Sequence, residues 1–149
     1  MLVTRDQAMK APFFVHQTVK QWTEVQLPDS VVDLAGLDSF LTARYAGLNK
    51  PFTFRLSGPF ERVEVHIVDV PLGIVINGPA DAHRNNKHFQ ITGTQAEALG
   101  FFSTTHKAVF THHDTNIHVH AITAERDWMG HAEALSFVAK LMSLQVALP

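Results

Sequence analysis

Between Ser30 and Leu48 the apolar residues Val31, Leu34, Leu37, Leu41, Tyr45 and Leu48 recur every three to four positions, the spacing of one face of an α-helix. Asp29 or Ser30 can cap its start and Gly47 suits its end, so a helix is expected over about 30–48. Past Pro51 the period drops to two. Phe52 to Gly58 alternates apolar with polar, Gly58-Pro59 suggests a turn, and Arg62 to Val70 alternates again, which predicts two adjacent strands. In the second of these, Val63, Val65 and Ile67 share one face, while Glu64, His66 and Val68 share the other. A further strand is expected at 72–76. The polar run from Asn77 to His88 is expected to be a loop. Strands should then follow at 89–94, 98–103, 108–112 and 117–122. Residues 12–27 look like an entry segment with some strand, and 132–146 suit helix or strand equally.

The chain has 149 residues, 46% of them hydrophobic, enough to bury a core. No repeat, low-complexity tract or linker divides it, so residues 1–149 are expected to form a single domain. A net charge of -2 without long runs of either sign leaves no electrostatic footprint for nucleic acid or an anionic membrane. No apolar run approaches the roughly 20 residues that span a bilayer, and the first residues do not resemble a signal peptide. A soluble, cytoplasmic protein is the expectation. The chain has no cysteine, which removes disulfides and thiolate metal sites and leaves imidazole and carboxylate as metal ligands.

Histidine changes this picture. There are 10, and five lie between positions 112 and 131. In Ile117-His-Val-His-Ala-Ile122 the apolar residues alternate with His118 and His120, so an extended segment puts both imidazoles on one face. Their Cα atoms would be roughly 6.5–7 Å apart, close enough for both rings to reach one ion. His131 follows a polar stretch long enough for a hairpin, and Gly130 before it permits a close backbone approach. A returning antiparallel strand would set His131 beside the pair. Three imidazoles without thiolate leave coordination positions open, the pattern of a catalytic zinc site; nickel, cobalt, copper, iron and manganese also accept such ligands. The plainer reading of His118 and His120 is two surface histidines on an exposed strand.

The run Gly93-Thr94, Leu99-Gly-Phe-Phe-Ser103, His118-Val-His120 and Gly130-His131 resembles the C-terminal half of the alpha-acetolactate decarboxylases. Phe54-Arg-Leu-Ser-Gly-Pro-Phe60 with Val63 to Val68 is similar to that family's strand, Gly-x-Phe turn and strand, so the resemblance covers about residues 50–140. It implies an α+β domain with a strongly bent, mostly antiparallel, barrel-like sheet, related in outline to the plant-and-prokaryote conserved domain. It also implies a zinc ion held by His118, His120 and His131. The chain departs from the family in lacking its N-terminal half, with the Gly-Glu segment that supplies a carboxylate near the metal. His66 stands where the family carries an arginine facing the substrate, and the family's C-terminal acidic residue has no match.

What the resemblance implies for function is a metal-dependent lyase that decarboxylates a small hydroxy-keto acid of the acetolactate type. Such a reaction needs a proton donor for the carbon left behind, and Glu64 and His66 on one strand face are the candidates. His112 could line the site, and Asp114 could orient an imidazole. His83, Arg84, Lys87 and His88 could close over an anionic substrate or simply be solvated. Trp22, Trp128, Phe101 and Phe102 are expected in the core or an interface. The competing readings are a non-catalytic metal- or ligand-binding module of the same fold, and a metal-dependent hydrolase or isomerase. The expected partner is a small-molecule carboxylate, and a homodimer or trimer could complete the pocket.

Overall fold

The structure, a computed structural model, describes residues 15–107, 109, 111 and 114–149. Six strands carry the fold: β1 (Thr23–Val25), β2 (Phe52–Val68), β3 (Asn86–Phe102), β4 (Ile117–Thr123), β5 (Met129–Phe137) and β6 (Ser143–Ala147). The main helix, α1 (Leu34–Tyr45), runs on into a 3-10 turn, Ala46–Leu48, and a second helix, α2 (Pro79–His83), is short. The pairing order is β1-β6-β2-β3-β4-β5, and β5 pairs back onto β2. Strands β2, β3, β4 and β5 thus close into a ring-like, all-antiparallel sheet that is not a true barrel. The chain is a single small α+β domain. None of its described helices is long and apolar enough to cross a membrane.

Helix α1 starts later than the sequence suggests. Val31 N donates to Pro28 O in a tight turn, and Asp33 rather than Asp29 or Ser30 is the N-cap, its carboxylate accepting from Gly36 N at 2.7 Å. Leu37 and Leu41, one turn apart, are fully buried. Asp38 and Thr42 on the same helix hold Asn116: Asn116 N donates to Asp38 at 3.0 Å and its amide to Thr42 Oγ1 at 3.0 Å, which fixes the residue that leads into β4.

The two strands expected on either side of Gly58-Pro59 are one strand, β2, of 17 residues. No turn forms there. The buried apolar positions are Phe52, Phe54, Leu56 and Phe60, then Val63 and Val65, so the phase of apolar burial shifts by one residue. A β-bulge between Phe60 and Arg62 causes the shift. An extra residue in one strand re-aims everything after it; without it the alternation would point Arg62, Glu64 and His66 at the core. Gly58 sits at the bend with φ +149°, and a Cβ there would lie 2.8 Å from both Leu141 O and Met142 Sδ. A change of phase in the apolar pattern therefore marks a bend as well as a turn.

The strands expected at 89–94 and 98–103 are likewise one strand, β3, paired along β2 from Phe102 back to Asn86. Residues 72–76 form no strand and expose Leu72, Ile74 and Val75. The expected loop at 77–88 holds α2 and the first residues of β3. The ambiguous tail is β5, a 3-10 turn at Ala139–Leu141, and β6. Of the strand expected at 108–112, only residues 109 and 111 are described, and Thr111 bridges Lys107. Trp22 underlies Arg55, Trp128 packs edge-on against Phe89, and Phe102 is buried, all structural places.

Candidate metal centre

Strands β4 and β5 form the hairpin on which the histidines sit. Burial along β4 alternates, with Ile117, Val119 and Ala121 in the core and His118 and His120 on the outer face. The chain reverses through residues 124–128, where Thr123 N donates to Trp128 O and the Thr123 hydroxyl to Asp127 at 2.6 Å. This register sets His131 directly across from His120. Gly130 is required by the neighbouring strand. A Cβ there would lie 2.7 Å from His66 O and 3.0 Å from Val65 Cβ, so only a residue without a side chain lets β5 pass this close to β2.

One ligating nitrogen from each of His118, His120 and His131 lies within 4.8 Å of the others. The rings of His118 and His120 stack with centroids 5.2 Å apart and their Nε2 atoms 3.1 Å apart, and His131 stands nearly perpendicular to both. Zinc–nitrogen bonds of about 2.0–2.1 Å in tetrahedral geometry place ligand nitrogens roughly 3.3 Å from one another. The donor set and its spacing therefore fit a small divalent cation after modest ring rotation.

A second group of side chains adjoins this one. His66 lies across from His131 on β5 and from His88 on β3, so His120, His131, His66 and His88 form a row across four strands. The His66 and His131 rings are 4.8 Å apart. Glu133, two residues beyond His131, accepts from His66 Nδ1 at 3.0 Å and from His88 Nδ1 at 2.7 Å. An open cavity of about 820 Å³ beside the row is lined by His66, His131, Glu133, Arg62, Asn86 and His83 on one side and by α1 on the other. The side-chain amide oxygen of Asn86, Oδ1, is buried without a hydrogen-bond partner among the described residues.

Electrostatics favour neutral imidazoles here. Crowding of protein around the His120 ring, which strips water from it although the residue still reaches solvent, pushes its pKa below the ordinary 6.5, and the neighbouring His66 adds to the effect. His66 is also lowered, chiefly by burial, with Glu133 pulling the other way. For Glu133 burial acts to raise the carboxyl, but the hydrogen bonds and charges of His88 and His66 outweigh it and the net direction is down. Neutral rings are the form that binds a metal.

The other sequence candidates are distributed unevenly. Glu64 is ion-paired with Arg62 at 3.2 Å and does not line the cavity. His112 lies outside the described residues. Asp114 lines the cavity with α1. Arg84 and Lys87 pair with Asp81 and Asp69. Sequence reasoning missed Glu133 and Arg62; period-two spacing was a usable signal for Arg62, four positions from His66 on the same alternating face, whereas Glu133 is placed by an irregularity in the β2–β5 register.

Several solved structures share this fold. The alpha-acetolactate decarboxylase of Bacillus subtilis aligns over 89% of this chain and 53% of its own with TM-score 0.68 and 13% identity. A metal-containing protein from Archaeoglobus fulgidus aligns over 90% and 84% with TM-score 0.56 and 14% identity. A plant- and prokaryote-conserved protein from Pyrococcus horikoshii aligns over 93% and 82% with TM-score 0.53 and 11% identity. At these identities the likeness is one of fold, and the chain spans about half the length of the decarboxylase structure. No curated protein matches the chain by sequence. The sequence model of alpha-acetolactate decarboxylase, however, matches residues 2–148, nearly the whole chain. The chain belongs to the alpha-acetolactate decarboxylase family.

Proposed function

We propose that the protein is a metal-dependent lyase that decarboxylates a small hydroxy-keto acid of the acetolactate type, with His118, His120 and His131 holding one divalent cation, zinc by first choice. The observation that carries this reading is the convergence of three imidazoles within 4.8 Å in a chain of this family. A cation held there supplies Lewis acidity toward the hydroxyl or keto oxygen beside the departing carboxylate.

The chain's own residues supply the rest. Loss of carbon dioxide leaves an electron pair on carbon that must take up one proton for each molecule released. His66, in the cavity wall and next to His131, would exchange that proton. Arg62 and His83, on the same wall, would meet the substrate carboxylate before it leaves. Residues of α1 line the other side of the cavity. Glu64, tied to Arg62, would act on substrate only through that arginine.

The test loads the purified chain with zinc, measures metal content, and follows acetoin and carbon dioxide from acetolactate. One metal per chain and turnover lost in His131→Ala are the expected results. A folded chain that stays free of metal in excess zinc would sink the proposal. A second reading, a metal-binding module without turnover, is favoured by one observation: the fold is shared with the Archaeoglobus metal-containing protein over 84% of that protein's chain. Bound zinc with no product above background would select it.

A further inference from the structure

We infer that Glu133 is a positioning residue, whose carboxylate holds His66 and His88 by their Nδ1 atoms and so presents His66 Nε2 to an O–H-bearing ligand or water in the cavity. The inference rests on His66 exchanging a proton with the ligand, as proposed above, and adds the element that orients it.

The backbone first shows that Glu133 is deliberately placed. In the β2–β5 register Glu64 pairs with Ala134 and Val65 with Ala132, so Glu133 is the extra residue of a second β-bulge. A bulge takes one side chain out of the regular alternation and aims it elsewhere, and bulges gather beside functional sites. Here it turns Glu133 along the sheet toward His66 and His88, which face each other on β2 and β3. Three strands thus contribute to one hydrogen-bonded unit.

Chemistry then fixes the direction of the bonds. An ionised carboxylate only accepts, so at neutral pH both Nδ1 atoms must carry the protons that point at Glu133, at 3.0 and 2.7 Å. With its proton on Nδ1, a neutral His66 has Nε2 as its acceptor, and the proton it gains or gives to a ligand is the one on Nε2. Competing cations are engaged elsewhere: Arg62 with Glu64, Arg84 with Asp81 and Lys87 with Asp69. Exposure divides the labour between the two rings. The His66 side chain is 11% exposed and lines the cavity, whereas that of His88 is 60% exposed and serves as the second anchor that keeps the carboxylate from swinging to solvent.

The experiment uses the zinc-loaded full chain. Nitrogen-15 NMR of labelled histidine should find His66 and His88 protonated at Nδ1 and bare at Nε2. In Glu133→Ala this signature should be lost, with circular dichroism and zinc content unchanged, and kcat on acetolactate should fall roughly 10–100-fold with little change in KM. Glu133→Gln, whose amide oxygen accepts from one ring while its NH2 repels the other proton, should fall between. Wild-type His66 protonated at Nε2, or tautomers and kcat unmoved in Glu133→Ala, would overturn the inference. A chain that binds no zinc would count against the proposed function alone, since the tautomer measurement stands without turnover.

Discussion

The two halves of β2 make the most instructive comparison in the molecule. From Phe52 to Leu56 the strand lies between β3 and β6, and its even positions Phe52, Phe54 and Leu56 are fully buried. From Arg62 to His66 the same strand lies between β3 and β5, and its even positions Arg62, Glu64 and His66 leave the core. One bulge separates a half that stabilises the fold from a half that serves the candidate site. Fold and site are thus separable along one strand, and substitutions on the two sides of the bulge should have different consequences.

The largest effect is expected from Phe54→Ala, which empties a fully buried aromatic position. It should cost about 3–5 kcal/mol of stability by urea denaturation, while the zinc content of whatever remains folded stays at one per chain. Equal loss of metal and stability would break the separation. Next is His131→Ala on the other side: zinc affinity should fall at least tenfold in a competition titration, while stability of the metal-free chain changes by about 1 kcal/mol or less, since His131 is only half-buried.

A smaller and graded effect should follow from pH. The pKa of His120 is lowered from 6.5, chiefly by burial, so the ring is neutral at pH 7 and takes up a proton only below its shifted value. Zinc retention by equilibrium dialysis should therefore hold at pH 7 and fall on acidification. The fold responds with the same sign: a depressed pKa leaves stability intact above 6.5 and erodes it as pH falls, because the unfolded chain gains protons first. Retention that improved on acidification would contradict this account.

The smallest effect is expected at the far seam, where β1 joins β6. Hydrogen bonds from Ser143 at 2.7 Å and Gln145 at 3.0 Å lower the Glu24 carboxyl below its ordinary 4.5. Glu24 is exposed, so Glu24→Gln should cost within about 0.5 kcal/mol at pH 7 by urea denaturation. That difference should vanish as pH falls through the lowered pKa, where the wild-type carboxyl is itself protonated.

The elements that the sequence revealed most directly are those whose pattern is local. Helix α1, the alternation of β4 and the two-apart histidines follow from side-chain period alone. What it hid is set by long-range geometry. Gly58-Pro59 looks like a turn because phase change and turn residues coincide, but the approach of Leu141 and Met142 makes it a bend in a continuous strand. The exposed Leu72, Ile74 and Val75 imitate a strand that has no partner to pair with. Glu133 was hidden because a lone carboxylate acquires meaning only when the bulge on β5 and two rings from other strands are known. His66, by contrast, could be picked out from its face, while Glu64 beside it could not be told apart until Arg62 was seen to engage it.

The absent side chain at Gly130 has a further consequence. Because the carbonyl of His66 occupies the space where a methyl would sit, the main-chain spacing of β2 and β5 beneath the His66 and His131 rings is set by direct backbone contact. Gly130→Ala would push apart the two strands that carry the candidate metal ligand His131 and its neighbour His66.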